Sequence, residues 1–272
     1  MREIARTFSR LRAQNEGALI AYVTVGDPKP SYTPRIAEAL INGGADIIEL
    51  GIPFSDPIAD GPTIQAAIVR ALEAGTTPRM VLEMSREIKE KHDVPIVILT
   101  YYNPVFRMGL KNFFELAKSC KVDGLIVPDL PVEEALEYKE ASDAYDVDTI
   151  FLAAPSTSTE RLQRIINNTS GFLYLVSVFG VTGARENLQQ ITLEQIKKIL
   201  PYTRGRVPLA VGFGISKPEH ARAVIESGAD GAIVGSEFVN IIQKNQMNIK
   251  EMLDEIEAKA RELKKAVKHK IN

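Results

Sequence analysis

Eight apolar runs of strand length, each followed by a stretch of helical periodicity, constrain this 272-residue chain more than any other feature. The runs lie at 19–25, 46–51, 95–101, 124–127, 149–153, 172–177, 207–212 and 231–235. They are continuously apolar, which is how strands read when helices cover a parallel sheet. The segments between them carry helix signals. Thr33 followed by Pro34 reads as N-cap and first helical residue, with Gly43 and Gly44 as the stop, and Thr77 with Pro78 repeats the device. Thr157 with Glu160 and Ser216 with Glu219 match the capping box, and Pro131 before Glu133 and Glu134 opens another helix. Eight such units predict one (β/α)8 barrel domain over residues 1–272. An open doubly wound sheet would carry a glycine-rich fingerprint after its first strand, and AYVTVGDPKP lacks one.

Charge and cysteine usage narrow the function classes. Lys and Arg number 33 against 35 Asp and Glu, so no basic excess points to nucleic acid. Cys120 stands alone, which excludes an intramolecular disulfide and a cysteine-based zinc site and suits a reducing compartment. No apolar run reaches membrane-spanning length, the N-terminus has no signal core, and the expected location is the cytoplasm. Arg2, Arg6, Arg10 and Arg12 faintly resemble a transit peptide, but Ile4, Phe8 and Leu11 share one helical face and predict an extra N-terminal helix packed on the domain. The stripe Ile249, Met252, Leu253, Ile256, Ala260, Leu263 and Val267 predicts a last helix covering the barrel.

In a barrel of this kind the site lies at the C-terminal strand ends, in the strand-to-helix loops. Two such intervals are long. One follows the second strand and holds an acidic loop with helical segments at 64–74 and 78–91; the other follows the sixth and holds a loop at 178–190 with Gly180 and Gly183. Long loops on one rim predict a site that closes.

The stretch ADIIELGIPFSDPIADGPTIQ, residues 45–65, carries the chemistry. Glu49 interrupts a buried apolar strand, where a carboxylate is costly unless paired, protonated or facing a polar cavity. Asp60 lies eleven residues on and meets it only if the loop folds back over the strand end. Two carboxyls in unlike environments provide an acid and a base; the plainer reading is a satisfied buried Glu and a turn Asp, and the residues alone leave both open. The runs AVGFGIS (210–216) and AIVGS (232–236) end the last two strands in glycines ahead of helix N-termini, which predicts a phosphate seat. Neither run contains Lys or Arg, so backbone amides would do the binding.

Other chemistries fit less well. No strand contains the lysine that a Schiff-base aldolase needs, and His92, His220 and His269 lack metal-ligand spacing, so no metal is expected. Cys120 precedes a strand, at the wrong end for a nucleophile. Glu49, Asp60, Asp129, Tyr22, Tyr102 and Tyr174 remain on the rim, an inventory for acid/base work on a small phosphorylated substrate.

The motifs ELGIPFSDPIADGPTIQ, LIVPDLPVEE, YLVSVFGVTGAR and VGFGIS, in this order, resemble the tryptophan synthase alpha subunit family over nearly the whole chain. The resemblance implies cleavage of indole-3-glycerol phosphate to indole and glyceraldehyde 3-phosphate. It also implies an α2β2 complex with a beta subunit, whose pyridoxal phosphate serves to join indole to serine, and no cofactor in this chain. Carried over by motif, Glu49 resembles the general acid/base at the indole ring carbon, which also takes the glycerol hydroxyl proton. Asp60 resembles the acceptor of the indole N–H, Thr182 its partner on lid closure, and Tyr174 and Tyr102 the pocket tyrosines. Gly183, Gly212, Gly214, Gly235 and Ser236 match the phosphate-binding backbone, and Tyr22, Thr100 and Asp129 complete the expected substrate contacts.

The chain departs from the family pattern at Tyr22, where Phe is common, at Thr100, where a large apolar residue is common, and at Val178 with Phe179 before GVTG. The loop around Asp56 and the segment NPVFRMG (103–109) resemble the parts that meet the beta subunit, although composition alone makes Asp56 a turn residue. Two alternatives stand beside the lyase: another phosphate-binding barrel such as a sugar-phosphate isomerase, and a non-catalytic activator of a beta partner.

Overall fold

The computed structural model describes residues 1–177, 185–212 and 214–268, with only the backbone for 185–189. Nine strands, all parallel, form one sheet: β1 (Ala18–Thr24), β2 (Ile47–Gly51), β3 (Ile96–Leu99), β4 (Gly124–Ile126), β5 (Asp148–Ile150), β6 (Leu152–Ala153), β7 (Leu173–Val176), β8 (Leu209–Gly212) and β9 (Gly231–Val234). The spatial order is β5-β4-β3-β2-β1-β9-β8-β7-β6. Its two ends, β5 and β6, are consecutive in the chain with only Phe151 between them, so they are two parts of the expected fifth strand. Residues 148–150 pair with β4 and 152–153 with β7, while the Phe151 carbonyl accepts from Tyr174 N–H at 3.0 Å. The sheet thereby closes on itself as the expected eight-unit barrel.

Helices cover the outside: α1 (Glu3–Ala13) precedes β1, and α2 (Thr33–Asn42) follows it. After β2 come α3 (Pro62–Glu73) and α4 (Pro78–Lys91), and after β3 come α5 (Tyr102–Met108) and α6 (Leu110–Ser119). The later units carry α7 (Leu136–Ala144), α8 (Thr159–Asn168), α9 (Arg185–Thr203), α10 (Pro218–Glu226), α11 (Ser236–Lys244) and α12 (Ile249–Val267).

Strand alternation divides the core in two. On β1, Leu19, Ala21 and Val23 pack outward under the helices, while Ala18, Ile20 and Tyr22 point into the barrel. Inside they join Ile47, Val97, Ile126, Ile150, Phe172, Ala210 and Ile233. The register pairs Tyr22 with Glu49, which puts the carboxyl inside with Ile47. The expected N-terminal helix closes the far end: Ile4, Phe8 and Leu11 are buried in the interior cluster. Each such side chain contributes about 1.5–3 kcal/mol by leaving water.

Several local expectations need correction. Thr33 is the first residue of α2 and not its cap; its hydroxyl instead accepts from Gly26 N–H at 3.1 Å. Ser158 caps α8, while Thr157 turns back to accept from Ala154 N–H at 2.9 Å. α10 begins at Pro218 after an extended Lys217, so Ser216 caps nothing and a lysine stands just past the VGFGIS run. In each case a nearer unpaired N–H, or a longer extended lead-in, defeats the local signal. Thr77 caps α4 as expected. Residues 185–190, expected as loop, are already the first turns of α9.

Candidate active site

The strands deliver their last inward-facing side chains to the C-terminal mouth of the barrel. There a cavity, partly open to solvent, is lined by Tyr22, Glu49, Asp60 and Tyr174, with Ile64, Leu99, Ile215 and Ile233 as apolar wall. Gly214, Gly235 and Ser236 form its remaining edge. The loop after β2 folds back over the strand end, as the meeting of Glu49 and Asp60 requires.

The two carboxyls sit in unlike surroundings. Glu49 is 1% exposed, and its Oε2 has no hydrogen-bond partner among the described residues. Burial, and secondarily the charge of Asp60, push its pKa up to about 8. Asp60 is also raised by burial, but Tyr101 opposes that shift by donating its hydroxyl to Oδ2 at 2.6 Å. The same Tyr101 oxygen accepts from Ala59 N–H at 3.0 Å, so it fixes the carboxyl and the loop that carries it. Burial raises the Tyr22 and Tyr174 phenols, which keeps both neutral. Tyr22 shares a hydrogen bond of 3.0 Å with Thr24. The cavity thus sets a buried carboxyl that burial pushes toward its protonated form beside a second carboxyl held by a phenol.

The glycines serve different ends. A Cβ on Gly212 would come within 2.3 Å of the Tyr174 hydroxyl, so this glycine makes room for the tyrosine and does not line the cavity. Gly214 has φ +76° and lines the cavity. Gly235 and Ser236 stand where α11 starts, and its first N–H groups and dipole suit an anion.

Other expected site residues lie elsewhere. Thr100 is fully buried outside the cavity wall, and its hydroxyl donates to the Tyr101 carbonyl at 3.3 Å. Tyr102 opens α5 and packs beside Phe106, with ring centroids 6.1 Å apart. The exposed Asp129 accepts from Tyr102 N–H at 2.8 Å. Tyr101, absent from the sequence-based expectations, is the tyrosine whose hydroxyl meets Asp60, although neither it nor Tyr102 lines the cavity. The signal was strand parity: Val97 and Leu99 face inward, so the next inward position is Tyr101. Thr182 and Gly183, with Val178 and Phe179, lie outside the described residues. Among the described residues, no group of three or more His, Cys, Asp or Glu is placed to hold a metal ion. Likewise no described helix is long and apolar enough to cross a membrane.

On the same rim, Ile58 in the acidic loop, Phe106 on α5 and Leu136 at the start of α7 are 81%, 67% and 71% exposed. Asp56 makes a local turn contact, accepting from its neighbour Ser55 at 2.6 Å.

The family model described as "Tryptophan synthase alpha chain" matches residues 8–268. The tryptophan synthase alpha chain of Methanosarcina barkeri is 49% identical over 266 residues, covering 98% of this chain and 97% of its own. Among solved structures, the tryptophan synthase alpha chain from Legionella pneumophila superposes with TM-score 0.88 at 35% identity, covering 98% of this chain and 97% of its own. A chain from the tryptophan synthase α2β2 complex of Pyrococcus furiosus gives TM-score 0.85 at 43% identity, covering 92% and 98%.

Proposed function

Because this chain belongs to the tryptophan synthase alpha chain family, we propose that Glu49 and Asp60 carry its cleavage of indole-3-glycerol phosphate to indole and glyceraldehyde 3-phosphate. The observation that carries the assignment is the buried Glu49 carboxyl, whose Oε2 has no hydrogen-bond partner among the described residues, sharing one cavity with a Tyr101-held Asp60.

The reaction balances on these two groups. Glu49, about ten-to-one protonated at pH 7 if its pKa is about 8, gives its proton to the indole ring carbon that bears the glycerol chain. The ring becomes cationic, and Asp60 accepts a hydrogen bond from its N–H and stabilises that charge. Glu49, now a carboxylate, takes the proton of the adjacent glycerol hydroxyl. The C–C bond breaks as the carbonyl of glyceraldehyde 3-phosphate forms, and its electron pair restores the neutral indole. Glu49 ends with its proton regained. The phosphate is assigned to the seat at Gly214, Gly235, Ser236 and the N-terminus of α11. Ile64, Leu99, Ile215 and Ile233 offer the apolar surface a bicyclic ring needs.

No cofactor is assigned to this chain; pyridoxal phosphate belongs to the beta partner. The exposed Ile58, Phe106 and Leu136 on the catalytic rim supply an apolar surface for that partner, next to the cavity from which indole must leave. The lone buried Cys120 suits a cytoplasmic setting.

The test is release of glyceraldehyde 3-phosphate from indole-3-glycerol phosphate by the purified protein, alone and with its cognate beta subunit. Slow release that rises with the partner is expected, together with a Glu49→Gln variant that activates the beta subunit but does not turn over. No release from the folded wild type under either condition would return the choice to the idle activator or an isomerase.

A further inference from the structure

We propose that Thr100 and Asp129 are positioning residues for Asp60, acting through the peptide group that links Tyr101 to Tyr102. That peptide is held from both sides: Thr100 Oγ1 donates to its carbonyl at 3.3 Å, and Asp129 Oδ1 accepts from its N–H at 2.8 Å. Rotation about Tyr101 ψ, which stands at 160°, would break both bonds. With this torsion fixed, the Tyr101 ring leaves the end of β3 in one direction and meets Phe54 with centroids 5.3 Å apart. Its hydroxyl then reaches Asp60 Oδ2 at 2.6 Å and Ala59 N–H at 3.0 Å.

The chain of contacts therefore runs from the loop after β4, through the first peptide of α5, to the catalytic loop after β2. Tyr101 is the N-cap residue of α5 and supplies no side-chain cap, so Asp129 takes over that task from a neighbouring loop. Thr100 is fully buried, and among the described residues its hydroxyl makes this one hydrogen bond. Neither residue lines the cavity, so neither is a catalytic residue.

The inference rests on the role given above to Asp60, and its test separates the two. Asp60 is faced by Glu49 from β2, Tyr22 from β1, Tyr174 from β7 and Tyr101; among the described residues, only the Tyr101 bond opposes the upward shift of its pKa. Loosening Tyr101 should therefore raise the Asp60 pKa further. Asp129→Ala, Asp129→Asn, Thr100→Val and Tyr101→Phe, singly and as doubles with Tyr101→Phe, are assayed with the beta subunit from pH 5 to 9. In parallel, carbon-13 NMR follows the Asp60 carboxyl in the alpha chain.

Tyr101→Phe should lower kcat/KM by roughly 10- to 100-fold, the loss of one hydrogen bond to a charged group. Asp129→Ala should lose about fivefold, the usual effect of a removed cap, and Asp129→Asn should recover most of it because its amide oxygen accepts the same bond. The acid limb and the Asp60 titration should move to higher pH in Tyr101→Phe, and in the same direction in Asp129→Ala and Thr100→Val. In the Tyr101→Phe background the other two substitutions should add almost nothing. Losses that multiply in full in the doubles, or a raised KM with kcat and the Asp60 titration unchanged, would overturn the clamp. A wild type without turnover whose Asp60 titration still moves in Asp129→Ala would overturn the lyase assignment and leave the clamp standing.

Discussion

Replacing Glu49 by glutamine should make the protein more stable, by a margin that grows as pH rises above about 5. The side chain is 1% exposed, and its folded pKa of about 8 stands above the ordinary value of 4.5. Between those values the folded protein binds the proton that the unfolded chain has lost, so this group's contribution to stability falls as pH rises. At about 1.4 kcal/mol per pH unit over that window, with both ends rounded by partial titration, the loss from pH 5 to pH 9 is about 4 kcal/mol. The glutamine amide would match the protonated acid in shape and stay neutral throughout. The two proteins should therefore be nearly equal near pH 5 and separate by about 4 kcal/mol at pH 9. For a chain of this length that is roughly 8 °C in Tm. Urea or thermal unfolding of both proteins in half-unit pH steps provides the measurement. Parallel curves across the whole range would show that the folded Glu49 is ionised at neutral pH, and the acid role would fall with it.

Three further outcomes follow from the same geometry. The wild-type kcat/KM should decline above about pH 8 as Glu49 loses its proton, and a pH–rate profile of Glu49→Asp that lacks any displaced alkaline limb would refute the assignment. Gly212→Ala would put a Cβ within 2.3 Å of the Tyr174 hydroxyl; the ring must shift, and activity should drop at least about tenfold with KM rising, as steady-state kinetics would show. Arg70 on α3 makes two bonds of 2.7 Å to the buried carboxylate of Asp27, so Arg70→Met should destabilise by about 3–5 kcal/mol in urea unfolding, with much of the loss restored by adding Asp27→Asn.

How much of this was legible in the sequence differs by level. Barrel and strand positions were readable because a buried parallel strand must be apolar on both faces, and little else produces eight such runs. Glu49 was readable for the converse reason: a carboxyl among Ile47, Ile48 and Leu50 contradicts its surroundings. Helix starts were less so, since Thr33 and Thr157 hydroxyls found N–H groups outside the helices they were expected to cap. The cavity wall was hidden altogether. Ile64, Leu99, Ile215 and Ile233 are chemically indistinguishable from core until the strand ends are placed. Tyr101 and Tyr102 differ by one position, and only the placement of the end of β3 shows that it is Tyr101 whose hydroxyl meets Asp60. Thr100 and Asp129 were singled out as substrate contacts, but their shared hold on one peptide group exists only after two loops have met.

The split strand bears on how such a ring can assemble. Cutting the sheet at Phe151 gives two arcs, β1 to β5 and β6 to β9, in which neighbours in space are neighbours along the chain. The remaining junction joins β1 to β9, with Ala18 beside Gly231, more than two hundred residues apart. On a ribosome the first arc therefore emerges long before its closing partner and carries an open β1 edge meanwhile. Only when the last strand arrives, followed by α12 packing across α2, α10 and β1, does that edge disappear. The mouth between β1 and β9, where Tyr22 faces Gly235 and Ser236, is accordingly the last part of the site to come into being. A nascent chain holds Glu49 and Asp60 early, but the proposed phosphate seat at Gly235 and Ser236 forms only once β9 has joined β1.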